Sequence, residues 1–209
     1  MKRIISFIMV TLLTVVSALA NIAEGVSGDC NWVIDNDGNL TISSESDDIA
    51  DLGTWVGDSA PWSNYRDSIT TVVFSSPVNA KTCAYMFKGC SNLNAVYLDN
   101  FYTNEVTDMS FMFAGCTSLE VIEFDMAMSA QDEMFSQSRD NFLTGNVTNM
   151  AGMFEGCKSL QSFFLQNLDI HSVTNFSDMF AGCPSLDNMN ITVNKNANGS
   201  SLTAINDIE

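Results

Sequence analysis

Cysteine is the most reactive side chain that this sequence repeats, and four of its six cysteines occupy one position of a recurring motif. The motif reads Met-Phe-x-Gly-Cys-x-Ser/Asn-Leu and occurs at 86–93, 112–119, 153–160 and 179–186. Its cysteines, 26, 41 and 26 residues apart, are Cys90, Cys116, Cys157 and Cys183. Such spacings are not those of a zinc site. Equivalent side chains of stacked repeats run parallel instead of facing one another, which disfavours disulfides. We therefore expect a column of mostly reduced, buried thiols.

The other two cysteines are less constrained. Six cysteines in an exported chain would otherwise suggest three disulfides. Cys83 lies seven residues before Cys90, in the column that holds Met109, Met150 and Phe176, so it replaces a core residue. Cys30 precedes the repeats and stays unassigned.

Candidates for acid–base chemistry are few. His171 is the only histidine, and it falls in a variable column with Val78, Asn104 and Gly145, which predicts a surface position. Without a second histidine, Cys/His or Ser/His catalysis has no other base of that kind. Carboxylates are plentiful, but the repeats mark out no pair of the glycosidase type. Asp35, Asp37 and Asn39 match only a fragment of a calcium loop. The sequence thus predicts no enzyme, with no catalytic, cofactor-binding or metal-binding residues.

The elements that position these residues follow from the repeat. Each motif leads into an L-x-x-L-x-L pattern, as in Leu93, Val96 and Leu98, whose last two positions share one face of a strand. The apolar steps before each motif suit a short helical or 3-10 turn. A period of about 26 residues therefore predicts an α/β leucine-rich-repeat solenoid over 76–193, with an insertion at about 126–140.

The candidate binding residues are those that the strands direct outward. Partner choice in a repeat protein is expected at positions that do not recur, and aromatic residues dominate interface hot spots. The middle residues of successive L-x-L patterns should form one exposed row, namely Val73, Tyr97, Glu123, Phe164 and Asn190.

The segments outside the repeats have their own patterns. Residues 1–20 read as a signal peptide, with Lys2 and Arg3, an apolar run and cleavage near Ala20. Residues 21–75 read as a β-rich N-terminal cap with a hairpin at Asp37-Gly38, leading into the first repeat strand. Residues 194–209 read as a polar C-terminal linker or tail.

The chain is strongly acidic, with a net charge of −17. Loss of the signal peptide would leave six basic against 25 acidic side chains. Such a surface repels phosphate backbones, so nucleic acid is not an expected partner. Nothing after the apolar N-terminal run is long enough to span a membrane, so the mature chain is expected to have no membrane span.

The motifs resemble a known family. Cys30, Trp32, the Asp37-Gly38 hairpin and the Ala-Pro-Trp-x-x-Tyr-Arg segment at 60–66, followed by the repeats, are similar to the BspA-like leucine-rich-repeat surface proteins of bacteria over about residues 28–193. The resemblance implies a secreted or cell-surface module that binds extracellular or host-matrix proteins, or other cells, and has no catalytic residues. The alternative is a structural spacer, or a truncated fragment of a larger surface repeat protein.

Overall fold

A computed structural model describes residues 20–46, 48–123, 142–160 and 169–186. The signal peptide up to residue 19, the insertion at 126–140, the tail at 194–209, Phe164 and Asn190 lie outside the described residues. The nine strands of the described part are β1 Ala23–Ser27, β2 Cys30–Ile34, β3 Asn39–Ser43, β4 Ala50–Asp51, β5 Thr71–Phe74, β6 Val78–Asn79, β7 Ala95–Tyr97, β8 Phe101–Tyr102 and β9 Val121–Glu123. Short 3-10 helices cover Ser63–Ser68 and Pro184–Leu186.

The larger sheet has the order β1-β2-β3-β5-β7-β9. Strands β1 to β3 are antiparallel, and the pairs from β3 to β9 are parallel. Leu93, Val96 and Leu98 are buried as the repeat pattern predicts, and so are Ile69 and Val72 of the earlier match. The alternation of apolar and polar residues along each strand therefore places one face of this sheet on the core.

The predicted hairpin is confirmed by the antiparallel pairing of β2 with β3. Asp35 holds its turn closed, because its carboxylate accepts the backbone N–H groups of Asp37 and Asn39, each at 2.9 Å, and the Asn39 side-chain amide at 2.8 Å. The Asn39 side-chain bond is the main reason that the pKa of Asp35 is lowered. Strand β3 then pairs with β5, so the hairpin continues the repeat sheet. Strand β1, which the sequence did not predict, forms the outer edge.

A second, three-stranded parallel sheet has the order β4-β6-β8 and was not predicted. Val78 pairs with Phe101 and Ala50 in this sheet and is fully buried, so its placement in a variable surface column with His171 was wrong. The column counts back a fixed number of residues from each motif cysteine. The chain from this sheet to the motif cysteine is shorter in the first repeat than in the second, so the count aligns residues that are not equivalent.

The segments predicted as short helical or 3-10 turns are chains of turns in the structure. Met86, Lys88 and Cys90 donate their N–H groups to carbonyls three residues back. The N–H groups of the intervening residues go to the next repeat, from Tyr85 to Ser110 and from Phe87 to Met112. Because every second donor serves the neighbouring repeat, the segment cannot complete a helical ladder.

The same alternation recurs in the second and third motif segments. It requires left-handed backbone at the residue before each Met-Phe pair, with φ of 55° to 61° at Tyr85, Phe111, Gly152 and Asp178. The rings of Tyr85 and Phe111 stack at 5.2 Å. A side chain at Gly152 has no room, because its Cβ would lie 2.3 Å from the Phe111 ring.

An aromatic ladder runs through the core along the repeats. The Met-Phe phenylalanines stack with ring centroids 5.5–5.6 Å apart, in the order Phe87, Phe113, Phe154 and Phe180. Trp62 of the leader adds the first rung, 5.8 Å from Phe87, and its indole N–H donates to the Met86 carbonyl at 2.8 Å. The leader therefore covers the end of the column with a ring of the same kind.

Two glycines separate the cost of backbone strain from the cost of a steric clash. Gly152 and Gly57 have φ of 59° and 55°, but a Cβ on Gly57 meets nothing within 4 Å. We expect Gly57→Ala to cost about 1 kcal/mol of stability from left-handed strain. Gly152→Ala should cost a further 1–3 kcal/mol or so from overpacking against Phe111. Urea unfolding of both variants measures the difference, and equal losses would contradict the described packing.

Candidate functional site

The outward face of the larger sheet carries a row of directly paired residues, here called the outer row. Strand register places Val73 beside Tyr97 and Tyr97 beside Glu123, as the sequence predicts. The row continues into the hairpin strands beyond the predicted residues, through Thr41, Val33 and Glu24. These three were missed because the hairpin was read as a separate cap, although the alternation in Leu40-Thr41-Ile42 already pointed Thr41 outward.

The outer row has a neutral centre and charged ends. Val33, Thr41, Val73 and Tyr97 are half-buried, whereas Glu24 and Glu123 at the two ends are exposed. Six strands at about 4.8 Å spacing put the two carboxylates roughly 24 Å apart. This arrangement suits contact with an apolar surface that is flanked by basic groups.

A second row lies next to the outer row on the same face. Asn39 pairs with Thr71, Thr71 with Ala95 and Ala95 with Val121, which is 38% exposed. Small and β-branched side chains predominate here, so the Tyr97 ring lies beside a row of short side chains. The positions predicted to continue the outer row, Phe164 and Asn190, are outside the described residues.

The motif cysteines form the expected column, and all six cysteines are free and buried in the structure. Three of the four motif thiols also donate a hydrogen bond to the preceding repeat. Cys116 donates its thiol to the Phe87 carbonyl at 3.1 Å, and Cys157 donates to Phe113 at 3.2 Å. Cys183 donates to the Phe154 carbonyl at 2.9 Å. The thiols therefore link neighbouring repeats through their hydrogens, which a thiolate would lack.

Burial sets the acidity of these groups. Desolvation raises the pKa of Cys90 to about 12 and, helped by Asp29 and Asp51, that of Cys30 to about 11. Desolvation also raises the pKa of each of Cys83, Cys116, Cys157 and Cys183. Reactive cysteines need a lowered pKa and access to solvent. These cysteines are accordingly placed for packing and not for nucleophilic or redox chemistry.

His171 belongs to a hydrogen-bonded chain that resembles a catalytic triad in its distances alone. Its Nδ1 lies 2.7 Å from Asp169 Oδ1 and its Nε2 lies 3.0 Å from Ser172 Oγ. The His171 side chain lowers the pKa of Asp169 by its hydrogen bond. All three residues sit in one surface turn, where the Asp169 carboxylate also accepts the His171 backbone N–H at 3.1 Å. The Asp169 and His171 side chains are each 58% exposed, so water screens the dipoles that catalysis would need.

Other kinds of site find no support among the described residues. No group of three or more His, Cys, Asp or Glu side chains there could hold a metal ion. In the same part of the chain no helix has the length and apolar character needed to cross a membrane.

Comparisons with known proteins give a family model and a solved structure. A family model described as "Mycoplasma protein of unknown function, DUF285" matches residues 75–139 and 123–207. The crystal structure of a leucine-rich repeat protein from Eubacterium ventriosum is similar, with 20% sequence identity and a TM-score of 0.40. The alignment covers 80% of this chain and 43% of that protein, so this chain spans less than half of the neighbour's length. No curated protein matches the sequence.

The buried thiols should make the free energy of unfolding fall as the pH becomes alkaline. A thiol in the unfolded chain ionises near pH 8.5, whereas the folded thiols have raised pKa values. Their contribution is complete below the unfolded pKa and is lost as pH rises toward the folded pKa. Each buried thiol should therefore lower the free energy of unfolding by about 1.4 kcal/mol per pH unit between roughly pH 9 and 11.

Urea unfolding under reducing conditions at several pH values measures this slope. Tyrosines and lysines titrate in the same range, but they are common to wild type and to a Cys116→Ala variant. The variant should therefore show the shallower decline, and parallel declines would contradict a buried, protonated Cys116.

Proposed function

The chain belongs to the DUF285 family, whose model matches residues 75–207 in two overlapping segments, and we propose that it is a non-enzymatic binding module. Its repeats form a leucine-rich-repeat solenoid of the BspA-like type. The outer row is the surface that docks an extracellular or host-matrix protein. The apolar N-terminal segment with its Ala-x-Ala site favours export, so the module acts outside the cell or on its surface.

The observation that carries this proposal is the contrast between the two faces of the larger sheet. The inward positions of paired strands are apolar in each repeat, as at Leu40, Val72 and Val96. The outward residues of the outer row are Glu, Val, Thr, Val, Tyr and Glu across the six strands. Packing in the core explains why the inward face is apolar in each repeat. Contact with a partner of defined shape would explain why the outward face is not simply polar.

The size of the face limits the kind of contact. A sheet roughly 24 Å across with strands of three to five residues offers one modest interface, comparable with about 800 Å² per partner. Tyr97, one strand in from the Glu123 end, has the amphipathic ring that contributes most to such interfaces, and the terminal carboxylates favour a partner with basic rims. Phe164 and Asn190 belong to the proposal from the sequence pattern alone.

Substitution of Tyr97 tests the docking surface. In a binding screen against extracellular-matrix proteins, Tyr97→Ala should lower the affinity for the partner by about 2 kcal/mol, or roughly 30-fold. Tyr65→Ala is the matched control, since it removes an exposed tyrosine from the 3-10 helix Ser63–Ser68, outside both sheets, and should leave this affinity unchanged. Adding Phe164→Ala should weaken binding further. If the Tyr97→Ala, Phe164→Ala double variant binds every partner found as tightly as wild type, the outer row is not the docking surface.

The hydrogen-bonded residues Asp169, His171 and Ser172 allow a test of the proposal that the protein is not an enzyme. Ser172→Ala should hydrolyse p-nitrophenyl acetate at the wild-type rate, because an exposed imidazole reacts with this ester without the serine. A drop of about tenfold or more would instead show that Ser172 acts as a nucleophile with His171 as its base.

A further inference from the structure

The smaller sheet has a cavity on its outward side. Its floor is a row of three directly paired residues, Asp51 on β4, Asn79 on β6 and Tyr102 on β8. Ile49, Asn104 and Glu105 complete the lining, and the cavity measures about 250 Å³. That volume equals the share of about eight waters in the liquid, so the cavity has room for a short alkyl chain with a polar end.

Hydrogen-bond acceptors are common in this lining, and one of them has no donor within the described part of the chain. The Asn79 side-chain oxygen is buried and accepts no hydrogen bond from the described residues. Such an atom costs free energy until a donor reaches it. Asp51 and Glu105 add two carboxylates, and Tyr102 adds an aromatic ring. The missing partner is therefore a group that donates hydrogen bonds and carries positive charge.

The chain's own Lys81 shows that this edge holds a cation. Its ammonium bonds the Asp51 carboxylate. The Asp51 bond is the main cause of its raised pKa, and the charges of Glu105 and Asp29 add to it. The Lys81 side chain is 50% exposed, so this ion pair lies at the rim and can be displaced. The Asp51 carboxylate stays fixed without Lys81, because it also accepts the Gly53 N–H at 2.8 Å.

We propose that this cavity binds a primary alkylammonium group, the chemistry found at the end of a lysine side chain. The ammonium lies between the Asp51 and Glu105 carboxylates and donates to Asn79 after a small shift of that side chain. The methylenes lie against Ile49, which is 55% exposed, and against the Tyr102 ring. The site is on a different sheet from the outer row, so this proposal does not depend on the proposed docking surface.

Titration with n-butylammonium, followed by the backbone amide NMR signals of the whole chain, tests the site. We expect saturable shifts at Asn79 and Tyr102 with n-butylammonium and none with n-butanol, its neutral analogue. Shifts with both compounds, or with neither, would overturn the proposal.

Variants assign the binding to named groups. Glu105→Gln and Asn79→Val should each weaken n-butylammonium binding by about tenfold. Lys81→Met should strengthen it, because the internal competitor is gone. Glu120→Gln, which removes an exposed carboxylate elsewhere, is the control and should change nothing. Equal weakening by Glu105→Gln and Glu120→Gln would show general charge attraction and overturn the assignment.

The Asn79→Val variant also separates binding from folding. Because the wild-type oxygen accepts no hydrogen bond from the described residues, its removal should leave the thermal midpoint unchanged or raise it while n-butylammonium binding weakens. A lowered midpoint with unchanged n-butylammonium affinity would make Asn79 a structural residue and remove it from the site.

Discussion

Backbone hydrogen bonds between the motif segments of successive repeats are the constraint on which the rest of the structure depends. Every second N–H of a segment, from Tyr85 to Ser110 and again from Gly152 to Ser177, is donated to the next repeat. This pairing fixes the distance between repeats and also the direction of each side chain. The phenylalanine rings can then stack, and the thiols of Cys116, Cys157 and Cys183 each meet a carbonyl of the preceding repeat. Side-chain columns are a consequence of the backbone register.

The same register explains how the chain tolerates its longest interruption. Asp108 forms a bridge with Asn149 across 41 residues, and Asn149 forms the equivalent bridge with Asn175 across 26. The carboxylate or amide oxygen of each of these residues accepts the N–H two residues ahead, as at Ser110 and Ala151. Since each repeat closes its own turn in this way, extra residues between two repeats add only a slowly growing loop entropy.

The sequence predicts the parts of the fold that recur. The repeat, the buried columns and the outer-row residues Val73, Tyr97 and Glu123 were found because burial imposes apolar residues at fixed intervals. The second sheet was not found, because two-residue strands such as Val78–Asn79 are too short to show alternation. Of the two alternatives for the motif segments, the described residues show turns closed by bonds three residues back and no α-helix. Apolar steps of three residues did not decide between them, because they do not reveal that half of the donors serve a neighbour. Left-handed backbone at Tyr85 and Phe111 carries no signal in residue type. The cavity beside Asn79 could not be predicted from the sequence either, because the residues of its floor come from three separate strands.

The thiol column gives each repeat an internal reporter of its own opening. Cys90, Cys116, Cys157 and Cys183 are chemically alike, are buried to the same degree, and stand one to a repeat along the axis. A thiol becomes available to an alkylating agent only when its repeat separates from the preceding one. Mass-resolved labelling rates would thus read out sub-global unfolding along the axis, with no probe added to the protein. Equal rates would mean that the repeats come apart together, and unequal rates that they open one after another.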